Sequence, residues 1–266
     1  MPKLVTQMLC VVVPALLAVV VVASATAAPA RHAGGSFTFC SDITYPPEEF
    51  YVGSKPAGSD IDIGTAVAKQ LGKTAKFTNT GFDGIIAALQ AKKCDAIISG
   101  MNDTATRRKQ VDFVDYLSVG QSLMVKQGNP GHVTKLASLA GKTVSVEVGT
   151  TNKDFLDAES KKLQKQGKPA IKVQSYPKDT DAAAALKTGR VDAYFGDSPV
   201  VAYYIQKDKS FAFAGAPINP IPVGIALRHH DANEAAIRKA VKKLYANGTM
   251  KRILAKWHMT AFALKK

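Results

Sequence analysis

A polar segment at residues 99–107, with the sequence SGMNDTATR, has residue types suited to binding a carboxylate. It follows the run DAII at 95–98, which predicts a buried strand. After this strand, Gly100 permits a tight turn, Asn102 brings an amide, and Arg107 brings a guanidinium fork that matches two carboxylate oxygens. A solvated arginine in an ordinary loop is an equally good interpretation of this segment taken alone.

The elements predicted from hydrophobic periodicity alternate between strand and helix along most of the chain. The predicted strands are 37–39, 76–78, 95–99, 120–126, 142–148, 171–173, 191–195 and 221–227. The predicted helices are 59–72, 83–91, 152–165, 179–188, 233–246 and 249–257. This alternation is typical of parallel α/β sheets, in which ligands bind beyond the carboxyl ends of the strands.

The strand–helix order occurs twice, which predicts two α/β lobes. The second run begins near residue 142 and repeats the plan of the first, including a small-residue turn at 196–199. The chain crosses between the two runs near 118–122 and again near 219–224. Two lobes joined by two crossings predict a hinged clamshell, with the ligand between the strand ends of both lobes.

The first 30 residues have the pattern of a secretory signal peptide. Lys3 gives a short positive start, residues 9–23 are apolar, and small-residue cleavage patterns follow at 25–27 and 28–30. We expect a signal peptide at 1–27, with cleavage between residues 27 and 30, and a periplasmic mature protein. A membrane anchor is the alternative, but the small residues after the apolar run favour removal. The remainder has no second long apolar run, so a soluble mature chain is expected.

The chain has three cysteines, of which Cys10 would leave with the signal peptide. Cys40 and Cys94 could pair in an exported protein. However, the predicted elements place Cys40 near the end of one strand and Cys94 before the start of another. These are opposite ends of a parallel sheet, which is too far apart for a disulfide. We therefore expect two free, buried thiols.

The positive charge of the chain, +14 at neutral pH, is spread over scattered lysines rather than collected in one stripe. No aromatic residues alternate with these lysines and no nucleic-acid-binding motif is present, so we expect no nucleic-acid partner. The sequence contains no His/Cys/Asp cluster with metal-ligand spacing and no glycine-rich phosphate loop. We therefore expect neither a metal nor a cofactor.

An ordered set of short motifs resembles the family 3 extracellular solute-binding proteins, the amino-acid-binding proteins of ABC uptake systems. The motifs are 42–50, 60–63, 81–89, 99–107, 111–113, 139–144, 149–150, 189–193, Asp197 and 248–249. The resemblance implies the two-lobed periplasmic-binding-protein fold of type II, with lobe 1 formed by 31–119 and 223–266 and lobe 2 by 120–222. It also implies a monomer that binds a free amino acid and delivers it to an inner-membrane ABC permease and its ATPase.

The resemblance assigns the main-chain groups of the ligand to residues of both lobes. Arg107 matches the arginine that clamps the ligand's α-carboxylate, and Asp197 matches the carboxylate that takes the α-ammonium. Gly100 and Asn102 match neighbouring positions that hydrogen-bond the same groups. Thr151 matches a position at a helix N-terminus that also contacts the carboxylate, where backbone amides favour an anion.

The resemblance also identifies a side-chain pocket. Tyr45 and Phe82 match aromatic positions that sandwich the ligand's side chain, and Asp42 matches a position that contacts a cationic side chain in some relatives. Glu147 ends a strand at a position that faces the cleft in relatives. Two acids beside two aromatic faces suit arginine, lysine or ornithine. In the alternative, Asp42 caps a loop, Glu147 pairs with a lysine, and the ligand is neutral, such as glutamine.

The chain departs from the family pattern at two places. Glu48 stands where phenylalanine is usual, and Asn102 stands where a hydroxyl residue is commoner. We expect Glu48 on the rim of the cleft or in water, without ligand contact. Some relatives on this fold are periplasmic cyclohexadienyl or arogenate dehydratases, in which Glu147 or Glu48 could serve as the acid or base. No histidine lies in the cleft motifs, and binding without catalysis is the preferred interpretation.

Overall fold

Strands and helices alternate in the computed structural model of the chain, which describes residues 1–2 and 34–264. The strands are β1 (Ser36–Ser41), β2 (Phe50–Val52), β3 (Lys55–Ala57), β4 (Thr74–Asn79), β5 (Ala96–Ile97), β6 (Asp112–Lys126), β7 (Thr143–Glu147), β8 (Lys172–Tyr176), β9 (Ala193–Asp197), β10 (Phe211–Phe213) and β11 (Ile218–Leu227). The helices are α1 (Ser59–Gln70), α2 (Ile85–Gln90), α3 (Thr151–Lys165), α4 (Asp179–Lys187), α5 (Ser198–Lys207), α6 (Glu234–Ala246) and α7 (Thr249–Lys256).

One mixed sheet contains most of the strands, in the order β4-β1-β5-β11-β6-β9-β7-β8, with β10 paired to β6. β1 lies parallel to β4 and β5 at one end of the order, and β7 lies parallel to β8 and β9 at the other. The two parallel groups are separated by the antiparallel pair β6 and β11. The parallel strands are connected by helices, as crossover connections require.

The long strand β6 passes from one parallel group to the other and joins two lobes. Its first part pairs with β11 from Asp112 to Gln121, and its last part pairs with β9 and β10. The predicted crossings near 118–122 and 219–224 therefore lie on β6 and β11. The two-lobed α/β fold is confirmed, whereas the exact lobe boundaries stay a prediction.

Each lobe has apolar cores on both faces of its part of the sheet. In lobe 1, Phe39 packs with α1, α6 and α7 on one face, and Ile97 packs with α2 on the other. In lobe 2, Phe195 packs with α3, whereas Tyr194 packs with α4 and α5. Each fully buried side chain of this size contributes about 1.5–3 kcal/mol. These cores fix the strands whose ends carry the polar residues.

Several elements differ from the sequence-based expectation. β6 begins at Asp112 rather than at residue 120, and β10 was not predicted. The predicted strand 95–99 is reduced to β5, because the side chain of Asp95 accepts a hydrogen bond from the Thr38 backbone N–H at 2.7 Å and the chain leaves the sheet after Ile97. Helix α5 was not predicted, because residues 196–199 were interpreted as a turn. Pro199 lies in the first turn of this helix, where proline is well tolerated. The hairpin of β2 and β3 was not predicted either.

Cys40 and Cys94 form a disulfide bond, so the prediction of free thiols is wrong. Their Cα atoms lie 5.6 Å apart. The prediction placed the end of the first strand and the start of the second at opposite ends of the sheet. In the structure, β5 follows a bend through 91–95 and pairs with the end of β1, where Ile97 lies opposite Cys40. This bend places Cys94 in the core under α2, on the sheet face to which the side chain of Cys40 also points.

No helix within residues 34–264 is both long enough and apolar enough to cross a bilayer. The predicted signal peptide at 1–27 lies outside the described residues, apart from its first two, and so does Cys10. That part of the expectation stays a prediction from the sequence.

Removal of the disulfide should destabilise the protein without changing its fold. The cross-link spans 54 residues of sequence, for which chain entropy predicts about 4 kcal/mol of stabilisation. We expect the Cys40→Ala/Cys94→Ala variant to unfold roughly 5–15 °C below the wild type in a thermal melt followed by circular dichroism. Reductant should lower the melting temperature of the wild type but not that of the variant. Recovery of the two cysteines as free thiols from non-reduced protein would contradict the cross-link.

Candidate functional site

The predicted site residues lie at the carboxyl ends of strands of both lobes, or in the segments that follow these strands. They are Asp42 and Tyr45 after β1, Phe82 after β4, Gly100, Asn102 and Arg107 after β5, Glu147 at the end of β7, Thr151 at the start of α3, and Asp197 at the end of β9. Phe82 and Thr151 are half-buried, and the others are buried. The parallel strands of each lobe thus bring their ends to one region between the lobes.

Arg107 is held by backbone groups of both lobes. One guanidinium nitrogen, Nη1, donates to the carbonyl of Asn102 at 2.9 Å, and Nη2 donates to the carbonyl of Gly149 at 3.2 Å. The guanidinium also lies 5.3 Å from the centre of the Phe82 ring, within cation–π range. Burial lowers the pKa of Arg107 from its usual value, and the negative charge of Asp197 opposes this shift. The side chain remains a cation and can supply two parallel donors to a carboxylate.

Asp197 supplies the opposite charge from lobe 2. Its Oδ1 accepts a hydrogen bond from Asn152 Nδ2 at 3.0 Å, and Asn152 Oδ1 in turn accepts one from Gln121 Nε2 at 2.7 Å. Burial raises the pKa of Asp197 to about 6, against the hydrogen bonds from Asn152 and Tyr45 and the charge of Arg107. A buried carboxylate of this kind is stabilised by a cation placed beside it.

Sequence reasoning missed Asn152, which orients Asp197. The sequence could have indicated this residue, because it directly follows the Gly-Thr-Thr segment at 149–151 and is the second residue of α3. Thr150 caps the same helix, because its hydroxyl accepts from the Lys153 backbone N–H at 3.2 Å.

Side-chain hydrogen bonds also join the lobes directly. Thr151 Oγ1 donates to Asn102 Oδ1 at 2.6 Å, and the Tyr45 hydroxyl accepts from the Asp197 backbone N–H at 3.3 Å. Together with the bond from Arg107 to Gly149, these contacts link the strand ends of lobe 1 to those of lobe 2. The lobes are therefore closed on one another in this structure.

Gly100 allows the Tyr45 ring to lie against the turn that follows β5. Its φ of +49° is in the left-handed region, and a Cβ at this position would lie 3.1 Å from the ring. The Gly100 backbone N–H donates to Asp60 Oδ2 at 2.8 Å, and the same oxygen accepts from the Tyr116 hydroxyl at 2.6 Å. A side chain at residue 100 would therefore strain the backbone and displace Tyr45.

Asp42 and Glu147, the predicted acids of the side-chain pocket, differ in their hydrogen bonding. Asp42 accepts from the Thr44 hydroxyl at 2.7 Å and from the Phe82 backbone N–H at 2.8 Å, so it does cap a loop. Glu147 is 3% exposed, and its Oε1 has no hydrogen-bond partner among the described residues. No lysine of the described chain pairs with Glu147, so the alternative of a lysine pair is wrong. Burial raises the pKa of both carboxyl groups.

Glu48 is buried at 2% exposure, so the expectation of a rim or solvent position is wrong. Its side chain packs beside Gly100, where a Cβ would lie 3.9 Å from Glu48 Cγ. Burial raises the pKa of Glu48 well above its usual value, and the nearby charges of Asp60 and Asp197 add to the shift. A buried acid between other acids retains its proton more readily than a free one.

The histidines that follow β11 and α7 do not lie among these site residues. His229 is exposed and its Nδ1 lies 2.9 Å from Asp112 Oδ1, while His230 and His258 are also exposed. Within residues 34–264, no group of three or more His, Cys, Asp or Glu side chains has a metal-binding arrangement. The described site thus consists of one buried cation, several buried carboxyl groups and two aromatic rings.

Comparison with known proteins agrees with this architecture. The family of bacterial extracellular solute-binding proteins, family 3, matches residues 37–260. A putative ABC transporter arginine-binding protein 2 of Escherichia coli (strain K12) is 30% identical over 232 residues, covering 85% of this chain and 91% of that protein.

Two solved structures of ancestral arginine-binding proteins are also similar. The one bound to arginine matches with a TM-score of 0.77 at 35% identity, covering 84% of this chain and 98% of that chain. The one bound to glutamine matches with a TM-score of 0.78 at 34% identity, covering 85% of this chain and 98% of that chain. The family match, which spans nearly all of the described fold, and these similarities confirm the resemblance seen in the sequence motifs. The chain belongs to the bacterial extracellular solute-binding proteins of family 3.

Proposed function

We propose that this chain binds a free amino acid in the periplasm, preferably arginine, lysine or ornithine, and delivers it to an ABC permease of the inner membrane. The observation that carries the proposal is the pair formed by Arg107 and Asp197, two oppositely charged buried groups contributed by different lobes. It is supported by the relatives named as arginine-binding proteins.

The main chain of an amino acid carries one positive and one negative group, and both must be matched when they are buried. An unpaired buried charge costs several kcal/mol. Arg107 is suited to the α-carboxylate, with Thr151 and the amides at the start of α3 as further donors. Asp197 is suited to the α-ammonium, because Asn152 already holds one of its oxygens. Gly100 and Asn102 border the α-carboxylate and α-ammonium groups of the bound ligand.

The preference for a cationic side chain rests on Glu147. Its unpartnered, buried Oε1 favours a ligand that brings a positive charge. Asp42 contributes negative charge nearby, although its oxygens are partly used by loop contacts. Tyr45 and Phe82 provide aromatic faces for an extended stem. The alternative is a neutral polar ligand, and it is supported by the ancestral arginine-binding protein that was solved with glutamine bound.

Binding and closure form one cycle in this proposal. The ligand first contacts Arg107 in the open protein, and the lobes then close about the β6 and β11 crossings, with lobe 1 formed by 31–119 and 223–266 and lobe 2 by 120–222. Asp197 and Thr151 complete the site only after closure. The protein acts as a monomer without a cofactor, it has no catalytic role, and the closed form docks on the permease, whose ATPase drives transport.

Replacement of Arg107 by alanine should abolish amino-acid binding. Loss of one partner of a buried charge pair costs about 3–5 kcal/mol, which weakens binding by more than about a hundredfold. Isothermal titration calorimetry with arginine measures this directly. The control is Lys109→Ala, which removes an exposed cation from the same turn and should leave the affinity unchanged. Near-normal affinity in folded Arg107→Ala protein would refute the assigned role.

Replacement of Glu147 by glutamine should weaken cationic ligands selectively. A hydrogen bond to a charged group contributes about 1.5–3 kcal/mol, so we expect arginine and lysine to bind about 10- to 100-fold more weakly. Neutral ligands such as glutamine or citrulline should change by less than about threefold. Glu234→Gln, at an exposed ion pair on α6, is the matched control. Tighter binding of glutamine than of arginine by the wild type would exclude the cationic assignment while preserving amino-acid binding.

A further inference from the structure

Glu147 lies beside a second buried carboxyl group, Asp179, that the proposed ligand contacts do not use. Asp179 is the first residue of α4 and is 1% exposed. Its Oδ1 accepts from the Tyr194 hydroxyl at 2.5 Å, and its Oδ2 accepts from the Tyr204 hydroxyl at 2.8 Å. Tyr176, three residues before Asp179, lies opposite Glu147 in the β7–β8 pair, and Glu147 Oε1 has no hydrogen-bond partner among the described residues.

The groups that surround this pair are mostly acids and phenols. Asp42 after β1 and Asp197 on β9 contribute negative charge, and the tyrosines that face the pair are Tyr45, Tyr176 on β8, Tyr194 on β9 and Tyr204 on α5. The charges of the nearby cations are felt by other acids. Exposed Lys178 lowers the pKa of Asp42, and Arg107 lowers the pKa of Asp197. Two negative charges on Glu147 and Asp179 would therefore lack compensation.

The unequal hydrogen bonding of the two carboxyl groups determines which one keeps a proton. Two phenol hydroxyls donate to Asp179, which favours its anion, whereas Glu147 Oε1 receives no donor among the described residues. Burial raises the pKa of Asp179 to about 7 even with these donors, and burial together with the charge of Asp179 raises the pKa of Glu147 well above its usual value. Both effects favour Glu147 over Asp179 as the carboxyl group that holds a proton when no cation is bound.

We propose that Asp179 is a positioning residue that holds the proton on Glu147, and that a cationic ligand side chain displaces this proton. This inference rests on the proposed function. Protons and charge are conserved in this exchange: protonated Glu147 and the ligand cation become an ion pair, and one proton leaves to solvent. A neutral side chain releases no proton from Glu147. The pair would thus make the affinity for cationic amino acids, but not that for neutral ones, depend on pH.

Proton release measures this coupling directly. The enthalpy of arginine binding is determined at pH 6.5 and 7 in phosphate and in Tris, whose ionisation enthalpies differ, and the difference gives the number of protons released. Citrulline is the neutral comparison, because its α-ammonium perturbs Asp197 in the same way. We expect arginine to release up to about one proton more than citrulline, and its affinity to rise by up to about tenfold per pH unit while Glu147 is protonated.

Asp179→Asn separates this role from a structural one. The variant keeps the size of the side chain and an acceptor for a phenol, but it removes the negative charge that holds the proton on Glu147. We expect the excess proton release with arginine to fall by more than half, the pH dependence of the affinity to flatten, and arginine binding to persist. Asp181→Asn, at an exposed acid on the same helix, should behave as the wild type. A merely structural Asp179 would weaken arginine and citrulline equally and leave the proton count unchanged.

The outcomes are distinguishable. If the wild type binds arginine without excess proton release, or if Asp179→Asn releases as many protons as the wild type, the inference is overturned while the proposed function survives. If the wild type binds no amino acid at all, the proposed function fails, and the inference fails with it. Glu147→Gln should lose the excess release as well, because the group that carries the proton is gone.

Discussion

The central constraint on this structure is that buried charges must be matched, and that the two matching groups of the site lie in different lobes. Arg107 follows β5 of lobe 1, and Asp197 ends β9 of lobe 2. Neither lobe alone can bury a zwitterion, since each would leave one charge unpaired at a cost of several kcal/mol. Under the proposed function, closure is therefore part of the binding site itself.

The lobe 1 half of the site depends on how firmly two short strand ends are held. The disulfide joins Cys40 to Cys94 two residues before Asp42 and six residues before Gly100. It therefore ties together the segments from which the polar turn emerges. Behind that turn, Asp60 accepts from the Gly100 backbone N–H. Such support matters because a site that is displaced by about 1 Å loses much of its binding energy.

The sequence predicted most helices, the parallel groups of strands, the two crossings and the region where the site residues meet, because these depend on local periodicity and on the rule for strand ends. It failed where the outcome depends on long-range packing. The pairing of Cys40 with Cys94 required knowledge of the bend before β5, which hydrophobic pattern does not encode. Glu48 looked like a rim or surface acid, and its burial depends on contacts with residues distant in sequence, such as Asp60, whose backbone N–H donates to the Glu48 carbonyl at 2.9 Å. Asp179 stood at the start of a predicted helix, where an acid is ordinarily a favourable terminal residue.

Under the proposed function, the surplus of buried acids over buried cations selects the ligand, because it leaves buried carboxyl groups without a partner until a cation binds. A hydrophobic pocket discriminates weakly between side chains of similar size, whereas a buried polar group without a partner rejects ligands that cannot complete it. Glu147 is such a group, and Asp179 increases the effect because the charge of one carboxyl makes the charge of the other more costly. Specificity for a cation then comes from the cost that the protein bears without one. A proton on Glu147 would lower the same free-energy cost of the unpaired charge. In a site of this kind, protons therefore compete with the cationic ligand, as neutral amino acids do.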